Sequence, residues 1–118
     1  MELVAFLGKD KENWGQLSAL INRMQVQKII LVKDKSTENF PAPMNTKIIT
    51  IDASRSIMQI KDEIQEKLRP ELSKEFEVAL SLASGNGKEH MALVSALLLV
   101  PVGIKLVAYT KEGVKFLT

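Results

Sequence analysis

Residues 78–94 read Val78-Ala79-Leu80-Ser81-Leu82-Ala83-Ser84-Gly85-Asn86-Gly87-Lys88-Glu89-His90-Met91-Ala92-Leu93-Val94. Val78, Leu80 and Leu82 alternate with smaller residues, the period of a strand. Met91 to Val100 is a long apolar run and reads as helix. Strand, glycine loop and helix in succession form the repeating unit of an α/β sheet. Glycines in such a loop let the backbone approach a ligand and reach dihedrals closed to other residues. The first turn of the helix offers unpaired N–H groups and the positive end of a dipole. Lys88 adds a full positive charge, so the turn suits an anion, above all a phosphate.

Outward from this unit, strand-like and helix-like pieces alternate. Leu3 to Leu7 is a buried strand ending at Gly8. Trp14, Leu17, Leu20, Ile21 and Met24 recur at helical spacing, which predicts an amphipathic helix over Lys11 to Gln25. Lys28 to Val32 is a continuous apolar and β-branched run, the mark of a strand covered on both faces. Asp34 to Thr46 is polar, carries Pro41 and Pro43, and reads as a loop that either lies on the surface or covers a ligand. Lys47 to Ile51 is a third strand. Asp52 or Ser54 is positioned to cap a helix whose inner face is Ile57, Ile60, Ile64 and Leu68, interrupted at Pro70, with a short further turn over Glu71 to Lys74. Glu77 to Ala83 is the fourth strand and Glu89 to Val100 the third main helix. Ile104 to Tyr109 and Val114 to Leu117 are strands joined by Thr110-Lys111-Glu112-Gly113, a hairpin connection.

The order β-α-β-β-α-β-α-β-β predicts one domain over residues 1–118. It is an α/β fold with a doubly wound, mostly parallel sheet of about six strands and a C-terminal antiparallel hairpin. Ligands of such sheets sit beyond the C-terminal strand ends, where the winding reverses. With strand one central and strand four beside it, Gly8-Lys9-Asp10 and Ser84 to Lys88 meet at that point.

Between Met91 and Val100 only Ser95 is polar, so this helix is apolar almost all round. A 118-residue chain has little else to cover its second side. A homodimer through residues 91–100 is the economical expectation, with burial inside the monomer as the alternative.

Net charge is +2, which gives no support to binding duplex nucleic acid through bulk electrostatics. The absence of cysteine excludes thiolate metal sites, and a single histidine argues against any other metal centre; no cofactor is expected. The run Met91 to Ile104 holds Ser95, Pro101 and Gly103 and is shorter than the ~20 residues of a membrane span. The first residues do not form a signal peptide, and a cytoplasmic location is the default expectation. Only Gly8 stands in the loop after strand one, so the Gly-x-Gly-x-x-Gly of nicotinamide and flavin enzymes is missing.

The segment Val78 to Val94 resembles the signature of CRISPR-associated Rossmann fold (CARF) domains: an apolar strand, Ser/Thr-Gly-Gly-Thr-Lys or an Arg variant, then a Met/Ala/Leu-rich helix. The strand order extends the resemblance over nearly the whole chain, which makes the expected fold Rossmann-like. Asn86-Gly87 departs from the Gly-Thr common there, and Gly8-Lys9-Asp10 matches the family's first loop loosely. The resemblance implies binding of cyclic oligoadenylates, ring-shaped RNA second messengers of CRISPR antiviral signalling, across a two-fold dimer interface. It carries over Ser84, Gly85, Asn86 and Lys88 as pocket residues; position adds Gly8, Lys9, Asp10 and Gly87.

Some family members cleave the ring without a metal by attack of a ribose 2′-OH on the adjacent phosphorus. For that ring-nuclease alternative, Lys88 is the candidate to stabilise phosphoryl charge, Ser84 or Asn86 to orient the hydroxyl, and His90 to carry a proton. The third alternative is a structural or regulatory dimerisation module with a degenerate pocket. Trp14 reads as core on its helix face, with base stacking as the functional alternative.

Overall fold

The computed structural model describes residues 1–72, 76–100 and 102–118. The strands are β1 (Glu2–Leu7), β2 (Ile29–Asp34), β3 (Thr46–Ile51), β4 (Glu77–Ser81), β5 (Gly103–Thr110) and β6 (Gly113–Phe116), and the helices α1 (Trp14–Arg23), α2 (Ile57–Leu72) and α3 (Gly87–Leu99). A 3-10 turn at Lys11–Asn13 leads into α1. All six residues of β1 are buried because the strand lies in the middle of the sheet with helices on both faces. Val4 and Phe6 point to the face covered by α2 and α3, while Leu3, Ala5 and Leu7 point to the face covered by α1. This is why apolar residues run without interruption in β1 and β2.

The strand order is β3-β2-β1-β4-β5-β6, parallel except for the β5–β6 hairpin. The architecture is therefore the expected doubly wound, Rossmann-like one. Winding runs from β1 outward to β3, then returns to β4 on the other side of β1, so the reversal falls between β1 and β4. Gly113 takes φ +99 at the hairpin, a left-handed conformation that favours glycine.

Several boundaries differ from those read in the sequence. Pro70 does not interrupt α2, which runs on to Leu72. Pro70 lies in the last turn, and the buried Leu68 and Leu72 on either side hold that turn against the core. Of the further turn expected over Glu71 to Lys74, Glu71 belongs to α2, and residues 73 and 74 lie outside the described residues. Neither Asp52 nor Ser54 caps α2; Ser56 does. Its hydroxyl accepts from the Gln59 N–H at 3.2 Å, and Gln59 Oε1 accepts from the Ser56 N–H at 3.1 Å. Asp34 ends β2 rather than opening a loop, and α3 begins at Gly87, two residues early. The helix expected from Lys11 is a 3-10 turn followed by α1.

The apolar α3 has two faces. Ala92, Leu93, Ala96 and Leu97 are fully buried against β1, β4 and α2, whereas Met91, Leu98 and Leu99 are 58%, 70% and 52% exposed. Burial within one chain therefore accounts for only one side of the helix.

Candidate ligand-binding site

The loops after β1 and β4 meet at the reversal of winding, and glycine is what lets them. A Cβ on Gly8 would lie 2.7 Å from the Gly85 nitrogen and 2.8 Å from its Cα. The Gly8 N–H donates to Ser84 Oγ at 2.8 Å in a buried position, tying one loop to the other. Gly85 has φ +100 and is crowded by Phe6, Glu89 and His90, so both its conformation and its surroundings call for glycine. Gly87 has nothing within 4 Å of where a Cβ would stand and is simply the first residue of α3. Trp14 closes the outer side: its Nε1–H donates to the Gly8 carbonyl at 2.8 Å, and its ring packs edge-on against Phe40. Trp14 thus braces the loop as well as the core.

Beyond this junction a polar cavity of about 550 Å³ opens over the C-terminal ends of β1 to β4. Gly8, Lys9, Asp10, Gly85 and Asn86, expected from the sequence, line it. So do Asn13, Asp34, Lys35, Glu89 and the Asp52-Ala53-Ser54 turn, which the sequence reading did not assign to a site. An acid at the end of an apolar strand, as Asp34 is, was the one signal available for them.

Ser84, Gly87, Lys88 and His90 do not line the cavity. Ser84 lies beneath it, 1% exposed. Lys88 reaches across to the β3–α2 connection, where Nζ donates to the carbonyls of Arg55 at 2.7 Å and Ala53 at 3.3 Å. His90 Nε2 lies 2.7 Å from the Ser84 carbonyl. A carbonyl only accepts, so that nitrogen carries the hydrogen.

The start of α3 is closed by its own side chains. Asn86 Oδ1 accepts from the Glu89 N–H at 2.9 Å, and Glu89 Oε1 accepts from the Asn86 N–H at 2.9 Å. This capping box places a carboxylate of the chain at the positive end of the helix. Replacing Asn86 by Ala frees the Glu89 N–H and is expected to cost about 1 kcal/mol, measured as a lower urea midpoint with an unchanged slope.

Asp34 organises the far wall. Its Oδ1 accepts from the Ala53 N–H at 2.7 Å; its Oδ2 accepts from the Ser36 N–H at 3.0 Å and from the Ser36 hydroxyl, and faces Lys9 Nζ at 3.5 Å. Burial alone would raise its pKa. The bonds from Ser36 and Ala53, with the charge of Lys9, outweigh burial and hold the carboxyl well below the ordinary carboxylate range. Asp52 is also held down, first by the Ser54 hydroxyl and N–H against a smaller opposing effect of burial, then by Lys35 at 3.3 Å. The cavity therefore offers fixed, ionised acceptors from Asp34 and Asp52, and two solvent-exposed cations, Lys9 and Lys35, whose side chains are 64% and 67% exposed.

Among the described residues no cluster of His, Cys, Asp and Glu could hold a metal ion, and no helix is long and apolar enough to cross a membrane. Comparison of the chain with protein-family models and with curated proteins gives no match.

Proposed function

We propose that this chain is a CARF-like sensor domain that binds a cyclic oligoadenylate, with two copies paired through α3 sharing one ring. The observation that carries the reading is the junction of the Gly8 and Gly85 loops at the reversal of winding, with a polar cavity directly above it. Ligands of doubly wound sheets bind at that place, and the volume lies within the range of small-molecule sites.

Charge on the lining needs a physical account, because four carboxylates accompany two lysines. Each carboxylate already accepts from the chain's own N–H groups: Asp10 caps the 3-10 turn, Glu89 caps α3, and Asp34 and Asp52 bind the neighbouring backbone. Lys9 and Lys35 keep their own side chains largely in solvent, where an ion pair holds a cation only weakly, so they can turn to a phosphate at small cost. α3, which borders the cavity through Asn86 and Glu89, also carries the exposed stripe of Met91, Leu98 and Leu99. A two-fold ring with several phosphates suits a site made twice by symmetry.

Binding is favoured over cleavage by where the candidate cleavage groups lie. Ser84 is buried under the Gly8 N–H, His90 is engaged by the Ser84 carbonyl, and Lys88 by two carbonyls of the β3–α2 connection; Asn86 does line the cavity, but its Oδ1 is taken by the Glu89 N–H.

The test is equilibrium titration with cyclic tetra-adenylate and cyclic hexa-adenylate, followed by the fluorescence of the single tryptophan, Trp14, whose Nε1–H is bonded to the pocket loop. A saturable change with one ring supports the reading; a flat signal with both, checked by calorimetry, contradicts it. Leu98→Glu places a charge in the exposed stripe. It is expected to shift the chain from dimer to monomer in sedimentation and to weaken ring binding, without changing the far-UV spectrum.

A further inference from the structure

We infer that Asp34 reads a ribose hydroxyl of the bound nucleotide, making the site selective for ribose over deoxyribose rings. This rests on the nucleotide reading above and names the group that would confer sugar specificity within it.

Asp34 is the most deeply buried ionisable side chain on the cavity wall, 5% exposed, and it ends β2, the strand next to the one that carries the Gly8 loop. Contacts from three directions fix it: Ser36 from its own connection, Ala53 from the end of β3 and Lys9 from the end of β1. A carboxylate oxygen can accept two hydrogen bonds. Oδ2 already faces the Ser36 N–H, the Ser36 hydroxyl and Lys9, whereas Oδ1 has one donor, the Ala53 N–H, among the described residues. One acceptor position thus remains on a rigid carboxylate at a cavity.

The chemistry of that position is selective. A fixed negative charge repels a phosphate and accepts from a neutral donor such as a sugar hydroxyl. Neighbouring strands lie about 4.8 Å apart, so a phosphate over the glycine loops and a sugar over the end of β2 lie at adjacent positions of the sheet. The same carboxylate orders the ligand, with phosphates toward Lys9 and the glycine loops and a sugar edge toward β2. Because Asp34 is held in place before the ligand arrives, the bond requires no reordering of the protein.

Wild-type protein is titrated with cyclic tetra-adenylate, cyclic hexa-adenylate and the all-2′-deoxy form of each, read by Trp14 fluorescence. A hydrogen bond to a charged acceptor is worth about 10- to 100-fold in affinity, and the deoxy ring is expected to bind more weakly by that factor. Asp34→Asn is expected to bind the ribose ring more weakly and to bring the ratio of the two affinities close to one. Equal affinity for ribose and deoxy rings in the wild type overturns the inference and leaves the nucleotide reading in place. So does an undiminished preference in a folded Asp34→Asn. Binding of neither ring removes both. If Asp34→Asn does not fold, the wild-type comparison decides alone.

Discussion

Gly8→Ala is expected to lower stability by about 3 kcal/mol and to abolish ligand binding. The new Cβ would meet the Gly85 nitrogen and Cα at 2.7 and 2.8 Å, and both are backbone atoms that no side-chain rotation can move. The β1 and β4 loops must then part, and the buried bond from the Gly8 N–H to Ser84 Oγ is lost with them. Gly8 has no positive φ, so the cost comes from the close approach and not from backbone conformation. Gly15→Ala provides the contrast. Nothing lies within 4 Å of its added Cβ, the residue is inside α1, and the change is expected to stabilise by up to about 1 kcal/mol. Urea unfolding of the two variants measures the difference. Similar midpoints for both would show that the loop junction is not tightly packed.

Asp34→Ala is expected to cost about 3 kcal/mol, because it strands the Ser36 and Ala53 N–H groups and the Ser36 hydroxyl at the ends of two strands. Lys9→Ala removes only the exposed partner of the same carboxylate and is expected to cost less than about 1 kcal/mol. Acid adds an independent reading. The carboxyl titrates below its ordinary value near 3.8 in the folded chain, so the unfolded chain takes up the proton first. The contribution of Asp34 is therefore complete above about pH 5 and declines as pH falls, amounting to a loss of about 1 kcal/mol by pH 3. Asp34→Asn has no such proton to take up. Its stability is expected to fall less steeply than wild type between pH 6 and pH 3 in urea unfolding. Parallel curves would contradict the ionised, hydrogen-bonded state of Asp34.

The fold was legible wherever pattern reflected burial. Leu3 to Leu7 and the Ile29 to Val32 run lie in central strands covered on both faces, and their uninterrupted apolar residues say so. Gly113 marked the hairpin. The contact between the Gly8 and Gly85 loops followed from strand order alone. The rest depended on partners distant in sequence. Asp34 is bonded to Ala53, nineteen residues on, through the pairing of β2 with β3, and no local pattern announces that. Lys88 reads as a phosphate ligand because it adds a positive charge to a glycine turn at a helix start; its long side chain instead reaches carbonyls thirty-three and thirty-five residues away. Glu89 entered the sequence reading only as the start of the third helix, although the spacing Asn86-x-x-Glu89 is that of a capping box. Pro70 misled because a helix-breaking residue is tolerated in a last turn held by the buried Leu68 and Leu72.

Thermal unfolding with and without cyclic tetra-adenylate and cyclic hexa-adenylate, with chromatography of the nucleotide afterwards, tests the sensor reading most directly. A ligand that binds only the folded chain stabilises it by about 2.7 kcal/mol at a hundredfold excess over its dissociation constant. The expected result is a melting temperature raised by roughly 10 °C with one of the rings, and that ring recovered intact. Linear products alongside the rise would replace the sensor by a ring nuclease. An unchanged melting temperature with both rings would contradict cyclic oligoadenylate binding altogether.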